Sequence, residues 1–552
     1  MKKCILSALL VMLLGGSLYG SAAIGPDGSN AAAVHALGYT GQGVNVGFIS
    51  FHNILTTHEA FFDKDGNGLP TGPSNAFAYN MTDDESGIIV SAHDTWAAGV
   101  IASRGGAAHP NAIGVAPGVN IHNARVVRPP PMTIDQFTTA LQNALDALIV
   151  THGCRVIYTG FQVPPQQFVP NGNSTLTMIY DYYADTHDVV FANAAGNAVD
   201  LNTNITVFGD AYNGITTGGL AVVEPHVWRR VGSVSNLGPT ADNRRKPDVV
   251  APSQNQVVPT SDSSTAWLTW TSASGETSLS VPHTAGVAAL LLEYADSTTT
   301  QPDDHRSEVI RAVIVNAAFP NIHDNAGAST AGQIYNFARG YGRLDALRSL
   351  QTLAAARITP GNTPPSTADR GWAYATITAP RGPAVVQTYS INGVQSQRLV
   401  ATIAWNRRVT RSGGVYTAAP LVNLQLTVRD PDGNVIFSDT DALNNLKKCD
   451  ILLTRTGTYK IEVTLHNNVT PPVTLSQDYG LAFDIIEPIA GDFDLNYIVD
   501  HRDLAAFANQ WLLSGAALTA DIAPPAGHVD FADFAAFASN WLASNNAYYE
   551  GY

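Results

Sequence analysis

The sequence predicts an α/β domain on a parallel sheet with helices on both faces, then an all-β sandwich, then a small α-helical unit. Three observations carry this. From 25 to 357, short β-branched runs alternate with helical patterns, as when a parallel sheet is connected by crossover helices. From 370 to 488 the strands are short and alternating, with no helical stretch between them, as in an antiparallel sandwich. From 491 to 545 the chain repeats itself, each copy an acidic loop leading into a short helix. At 552 residues, the chain exceeds what one hydrophobic core holds.

Taken in order, residues 1–22 read as an export signal. Met1-Lys2-Lys3 is a basic start, Ile5 to Leu18 is apolar, and Gly20-Ser21-Ala22-Ala23 offers small residues for cleavage. The apolar stretch is short for a membrane span, so a secreted, extracellular or cell-surface protein is expected. In the α/β region, Val44 to Ile49 and Asp188 to Ala192 read as strands and Thr95 to Ser103 as a helix. A Pro/Thr/Gly-rich stretch, 358–369, reads as a linker. Leu399 to Trp405, Leu424 to Arg429 and Thr458 to Val463 are sandwich strands, with Asp430-Pro431-Asp432-Gly433 as a turn. In the repeat, Asp500 to Ala508 ends in Trp511-Leu512, and Asp530 to Ala538 ends in Trp541-Leu542.

Hydrophobic residues make up 45% of the chain and charged residues 14%, a globular composition low in charge. The formal net charge of -15 argues against nucleic acid or anionic lipid as a partner. Beyond the signal the cysteines are Cys154 and Cys449. They fall in different expected domains, which argues for free thiols and against a disulfide framework.

Three segments carry candidate chemistry. His93-Asp94-Thr95-Trp96-Ala97-Ala98-Gly99 sets a histidine at the start of a small-residue helix; alone, such a histidine is more often a cap or a packed residue. Phe191-Ala192-Asn193-Ala194-Ala195-Gly196-Asn197 ends a buried strand in an amide that can donate to a developing oxyanion; alone, Gly-Asn there reads as a turn. Gly275-Glu276-Thr277-Ser278-Leu279-Ser280-Val281-Pro282-His283 sets Ser278 at the head of an Ala/Gly-rich apolar helix, where the dipole favours negative charge. Pro282, just inside that helix, removes a backbone donor, an unusual choice without a purpose.

In this order the three segments resemble those of the subtilisin-like serine peptidases, the subtilase family (S8). The family's stretches run roughly His-Gly-Thr-His-Val-Ala-Gly, Ala-Ala-Gly-Asn and Gly-Thr-Ser-Met-Ala-x-Pro-His-Val-Ala-Gly. Gly41 to Val46, Gly114 to Gly118, Ser235 to Pro239, Lys246 to Pro252 and Gly340 to Ala346 are similar to further family stretches. The resemblance covers about residues 25 to 355. It implies a subtilisin-like fold with Ser278 as nucleophile, His93 as general base and Asn197 as oxyanion donor, hydrolysing peptide bonds of a protein or peptide substrate through an acyl-enzyme.

The family's first strand ends in an aspartate that orients the histidine. Here it reads Gly47-Phe48-Ile49-Ser50-Phe51-His52, with Ser50 in the acid's place. A hydroxyl accepts from imidazole but brings no charge, so reduced activity is expected, and Ser50→Asp is expected to raise kcat. Asp94 adjoins His93, but adjacent residues on a helix point to different sides. Asp83, Asp84 and Glu85 stand in an upstream loop that could fold back. Trp96 replaces the family's second histidine, and Glu276 fills a glycine position.

The strands from 370 to 488 resemble the β-barrel or jelly-roll domain that follows some subtilase catalytic domains. The repeat resembles a type I dockerin, which implies Ca²⁺ and a cohesin-like partner. Asp492, Asp494, Asn496, Asp500 and Asp503 stand at positions 1, 3, 5, 9 and 12 of a calcium loop, although Tyr497 takes the usual glycine position. The second copy keeps Asp521, Asp530 and Asp533, but Ala523 and Pro525 replace ligands. The plain reading of the repeat is two amphipathic helices with solvated acids. For the whole chain, the expectation is a secreted serine endopeptidase of impaired machinery. The alternatives are a pseudoprotease that binds or scaffolds peptides, and an adaptor acting through its tail.

Overall fold

The computed structural model describes residues 22–129, 132–163, 168–197, 204–224, 227–271, 274–298, 301–330, 332–467, 473–493, 499, 501–515 and 518–541. The expected export signal lies outside these residues except for Ala22.

The first region is built on one sheet. Its strands are β1 (Asn45–Ser50), β2 (Ala76–Asn80), β3 (Asn120–Arg125), β4 (Val156–Thr159), β5 (Val190–Ala194), β6 (Gly214–Glu224), β7 (Val227–Val231) and β8 (Val249–Pro252). Their spatial order is β8-β6-β5-β4-β1-β3-β2, with β7 on β6. Only the β6–β7 pairing is antiparallel. Strands are added on one side of β1 and then on the other, so the order reverses beside its C-terminal end. That is where open α/β sheets form their crevices.

Helices α1 (Ala31–Ala36), α2 (Ala92–Ala102), α3 (Ile134–Leu145), α4 (Thr175–His187), α5 (Thr277–Ser297), α6 (Ser307–Ala317) and α7 (Ala346–Leu353) flank this sheet. Alternate strand residues feed two cores, because successive side chains leave opposite faces of a strand. Phe48 and Ala192 pack with Ile101, Leu279 and Leu290 on one face. Ile49 and Phe191 pack with Leu141, Leu145 and Tyr183 on the other. A hairpin of β9 (Gln256–Pro259) and β10 (Trp267–Trp270) lies against α2. The approach is so close that a Cβ at Gly99 would meet Pro259 Cδ at 2.1 Å, so only glycine fits there.

The β-rich region holds β11 (Arg370–Ala379), β12 (Val385–Gly393), β13 (Arg398–Ala404), β14 (Leu424–Arg429), β15 (Val435–Asp439), β16 (Leu446–Leu452), β17 (Gly457–Leu465) and β18 (Leu475–Ile486). They form two antiparallel sheets, β11-β18-β13-β16 and β12-β17-β14-β15, that share one core. The sequence alternation explains it: Leu424, Leu426 and Val428 are buried, whereas Gln425, Thr427 and Arg429 are partly exposed. The stretch 358–369, expected as a linker, is pinned to this region. Ile358 is buried in its core, and Gly361 N and Ser366 N donate to Thr388 O and Ser390 O. Turn residues here satisfy their backbone on a strand edge instead of in water.

The two regions are joined by buried polar contacts. Arg407 pairs with Asp181 at 2.7 Å, Arg348 with Asp484 at 2.8 Å, and Lys448 Nζ donates to Val315 O and Asn316 O at the end of α6. Cys154 and Cys449 are buried free thiols. In the tail, α8 (His501–Ala508) and α9 (Phe531–Ser539) pack through Phe507 and Phe537. Among the described residues no helix is long and apolar enough to cross a membrane.

Candidate active site

Ser278 is the second residue of α5, reached through Gly275 at φ 84°. A Cβ on Gly275 would also lie 2.5 Å from Gly232 Cα, so sterics and dihedral both select glycine. The first N–H groups of a helix have no intrahelical acceptor, so Ser278 sits at a positive backbone end. Pro282 lacks the N–H that would bond the Ser278 carbonyl four residues earlier. The buried Tyr158 fills that gap: its Oη donates to Ser278 O at 3.0 Å, and its ring stacks on Phe48 at 4.2 Å. Burial, and then the charge of Asp94, push the Tyr158 hydroxyl well above its ordinary pKa, so it stays a donor.

His93 is exposed and lies in the first turn of α2, whose N-cap is Ser91. Its Nε2 stands 2.8 Å from Ser278 Oγ. Its Nδ1 stands 3.2 Å from Asp94 Oδ1. The expectation that adjacent helix residues cannot meet does not hold here. The His93 ring reaches outward to Ser278 with Nε2, which turns its Nδ1 edge back over the short Asp94 side chain. Asp94 is buried, and its Oδ2 accepts the His52 backbone N–H at 3.2 Å. The half-exposed His52 ring lies 3.9 Å from the same oxygen.

Ser50 ends β1 and is buried, as the strand pattern requires, but its hydroxyl bonds elsewhere. It donates to His52 O at 2.5 Å and accepts from Asn123 Nδ2 at 2.7 Å. The expected hydrogen bond from the His93 ring to Ser50 is therefore not the one formed. The acidic loop does not supply a substitute either. Arg125 takes Asp84 at 2.7 Å and holds that carboxyl well below the usual range, and Asp83 pairs with Arg128 at 3.5 Å.

Asn197 follows β5. Its Oδ1 accepts Thr277 N at 2.9 Å and Thr277 Oγ1 at 3.0 Å, which orients the amide. Its N–H donates to Gln162 Oε1 at 3.0 Å. Among the described residues Nδ2 donates to no protein group. Trp96, at the family's second histidine position, packs on Trp270 at 4.9 Å, and its ring centroid lies 6.2 Å from that of His93. Sequence reasoning missed Tyr158, Asn123, Gln162 and the His52 amide. Pro282 was a usable signal for the first, since a helix proline leaves a carbonyl needing a donor; the others carry no local signal.

Of the residues expected to hold calcium, Asp494, Asn496 and Asp500 lie outside the described residues. Asp492 and Asp503 are buried, and Asp503 Oδ1 accepts Phe493 N at 2.6 Å. In the second copy Asp533 accepts from Ile522 N, Ala523 N and Asp530 N. Asp521 Oδ1 there is buried, with no hydrogen-bond partner among the described residues. Buried carboxylate oxygens of this kind fit a hard oxygen-seeking cation, although no cluster of three or more His, Cys, Asp or Glu side chains forms among the described residues.

Among solved structures the chain is similar to sphericase, with 18% identity and a TM-score of 0.42, over 55% of this chain and 92% of that one. Residues 74–342, which carry His93, Asn197 and Ser278, match the model of the Subtilase family of S8 peptidases.

Proposed function

We propose that the protein is a secreted serine endopeptidase cleaving protein or peptide substrates through an acyl-enzyme on Ser278. The observation that carries this reading is the 2.8 Å contact between His93 Nε2 and Ser278 Oγ at the head of a helix. Ser278 Oγ attacks the scissile carbonyl carbon as its proton passes to His93 Nε2. Negative charge develops on the carbonyl oxygen, where Asn197 Nδ2 and the Ser278 N–H at the head of α5 are the available donors, since the N–H groups of Thr277 and Leu279 already donate to Asn197 Oδ1 and Glu276 O. His93 returns the proton to the leaving amine, the C–N bond breaks, and the acyl group remains on Ser278 until water, activated by His93, releases it.

The test is labelling of the full chain with a fluorophosphonate, together with peptide turnover. Wild type is expected to label at Ser278 and to turn over a peptide, and Ser278→Ala to do neither. The competing reading is a pseudoprotease that binds or scaffolds peptides, favoured by the serine at residue 50 of β1. A folded wild type that binds peptide but neither labels nor cleaves it would establish that reading instead.

For the tail, the proposal is one calcium ion held by Asp492, Asp494, Asn496, Asp500 and Asp503, and a cohesin-like protein as partner. The acidic spacing and the burial of Asp492 and Asp503 support it. Calcium titration of the full chain is expected to show binding that Asp492→Ala with Asp503→Ala abolishes; binding that survives both changes refutes this loop. Export through residues 1–22 is part of the same proposal, checked by whether the mature N-terminus begins after them.

A further inference from the structure

Asp94 has an ordinary explanation that the geometry rejects. An acid three residues after a serine N-cap normally reaches back to the cap's own N–H. Here the Ser91 N–H donates instead to Asn53 O at 2.9 Å. Only the other half of the motif forms, with Ser91 Oγ accepting Asp94 N at 3.4 Å. The carboxylate is turned away from the helix start. One oxygen faces His93 Nδ1 at 3.2 Å and the other accepts His52 N at 3.2 Å. Its side chain is 9% exposed, against 45% for His93, so water screens it little.

We propose that Asp94 is the positioning residue of the triad, a carboxylate supplied by the helix that bears the histidine, and that the end of β1 supplies only the backbone donor that holds it. The proposal rests on the peptidase reading above. A carboxylate on Nδ1–H fixes the tautomer that leaves Nε2 as the base, and it stabilises the imidazolium formed when Ser278 loses its proton. Ser50 acts one step further out. It accepts from Asn123 and donates to His52 O, which fixes the 50–52 turn and so aims the His52 N–H at Asp94 Oδ2. The order of contact is Asn123, Ser50, the His52 backbone, Asp94, His93 and Ser278. A neutral residue at the end of β1 is then consistent with an intact catalytic constellation.

The experiment uses the full chain. Asp94→Asn keeps the shape and removes the charge. It is expected to slow fluorophosphonate labelling of Ser278 and to lower kcat by about 10²- to 10⁴-fold, with KM within about threefold. Asp94→Glu is expected to recover part of that loss. Proton NMR supplies a readout that needs no turnover: wild type and Ser278→Ala should show a low-field imidazole N–H resonance that Asp94→Asn and His93→Gln both lack. Labelling and turnover of Asp94→Asn within about threefold of wild type would overturn the proposal, as would absence of the resonance from folded wild type. Wild type that shows the resonance but never labels would overturn the peptidase reading and leave the pairing of Asp94 with His93 standing.

Discussion

Ser50→Asp separates two accounts of this site. If the site lacks an acid, a carboxylate at the end of β1 restores it; if Asp94 already fills the role, the same carboxylate disrupts it. Ser50 is 2% exposed and acts as donor to His52 O and acceptor from Asn123 Nδ2. An ionised aspartate keeps the second bond and loses the first, placing charge against the His52 carbonyl oxygen. A protonated aspartate keeps both bonds but brings no charge to His93. His93 Nδ1 is already held by Asp94, so neither form is needed as its hydrogen-bond partner. The lost bond and the buried charge together are expected to cost about 2–4 kcal/mol of stability. Urea unfolding reads that loss, and steady-state kinetics on a peptide substrate are expected to give a kcat no higher than wild type. A folded Ser50→Asp variant with kcat raised at least about tenfold, roughly 1.4 kcal/mol of barrier, would refute this reasoning and restore the simpler expectation drawn from the strand sequence.

Asn197→Ala removes the side-chain donor expected at the oxyanion. It should lower kcat by about 10²- to 10³-fold with little change in KM; a change confined to KM would assign Asn197 to substrate binding. Tyr158→Phe leaves the Ser278 carbonyl without the donor that Pro282 cannot provide, and should cost about 1–3 kcal/mol by urea unfolding; no loss would mean that water replaces the hydroxyl. Burial pushes Glu308 up to about 7 from an ordinary 4.5. A carboxyl raised on folding costs stability that grows as pH rises from the unfolded value to the folded one, and the full cost, at most roughly 3 kcal/mol, persists above. Glu308→Gln is therefore expected to raise Tm at pH 8 and leave it nearly unchanged at pH 4; an equal shift at both pH values would exclude ionisation as the cause.

What the sequence could show depended on how local the cause was. The strand–helix alternation, the glycine before Ser278 and the helix after it are dictated by dihedrals and apolar patterning within a few residues, and all were legible. Tyr158 is paired with Ser278 by the fold, 120 positions away, yet the need for it was written locally in Pro282. Asp94 is the instructive failure. The rule that adjacent helix residues diverge describes Cβ directions, and it holds for short side chains. A histidine that reaches outward to Ser278 Oγ from the first turn of α2 turns its second nitrogen over the next residue. The position of Asp94 was in the sequence; the direction of the His93 ring was not, because Ser278 sets it from 185 residues away. The replacement of the strand acid by serine therefore carries less weight than it does in a linear comparison of motifs. A strand end that offers a backbone N–H can hold the carboxylate that the helix offers, and that carboxylate can then hold the imidazole.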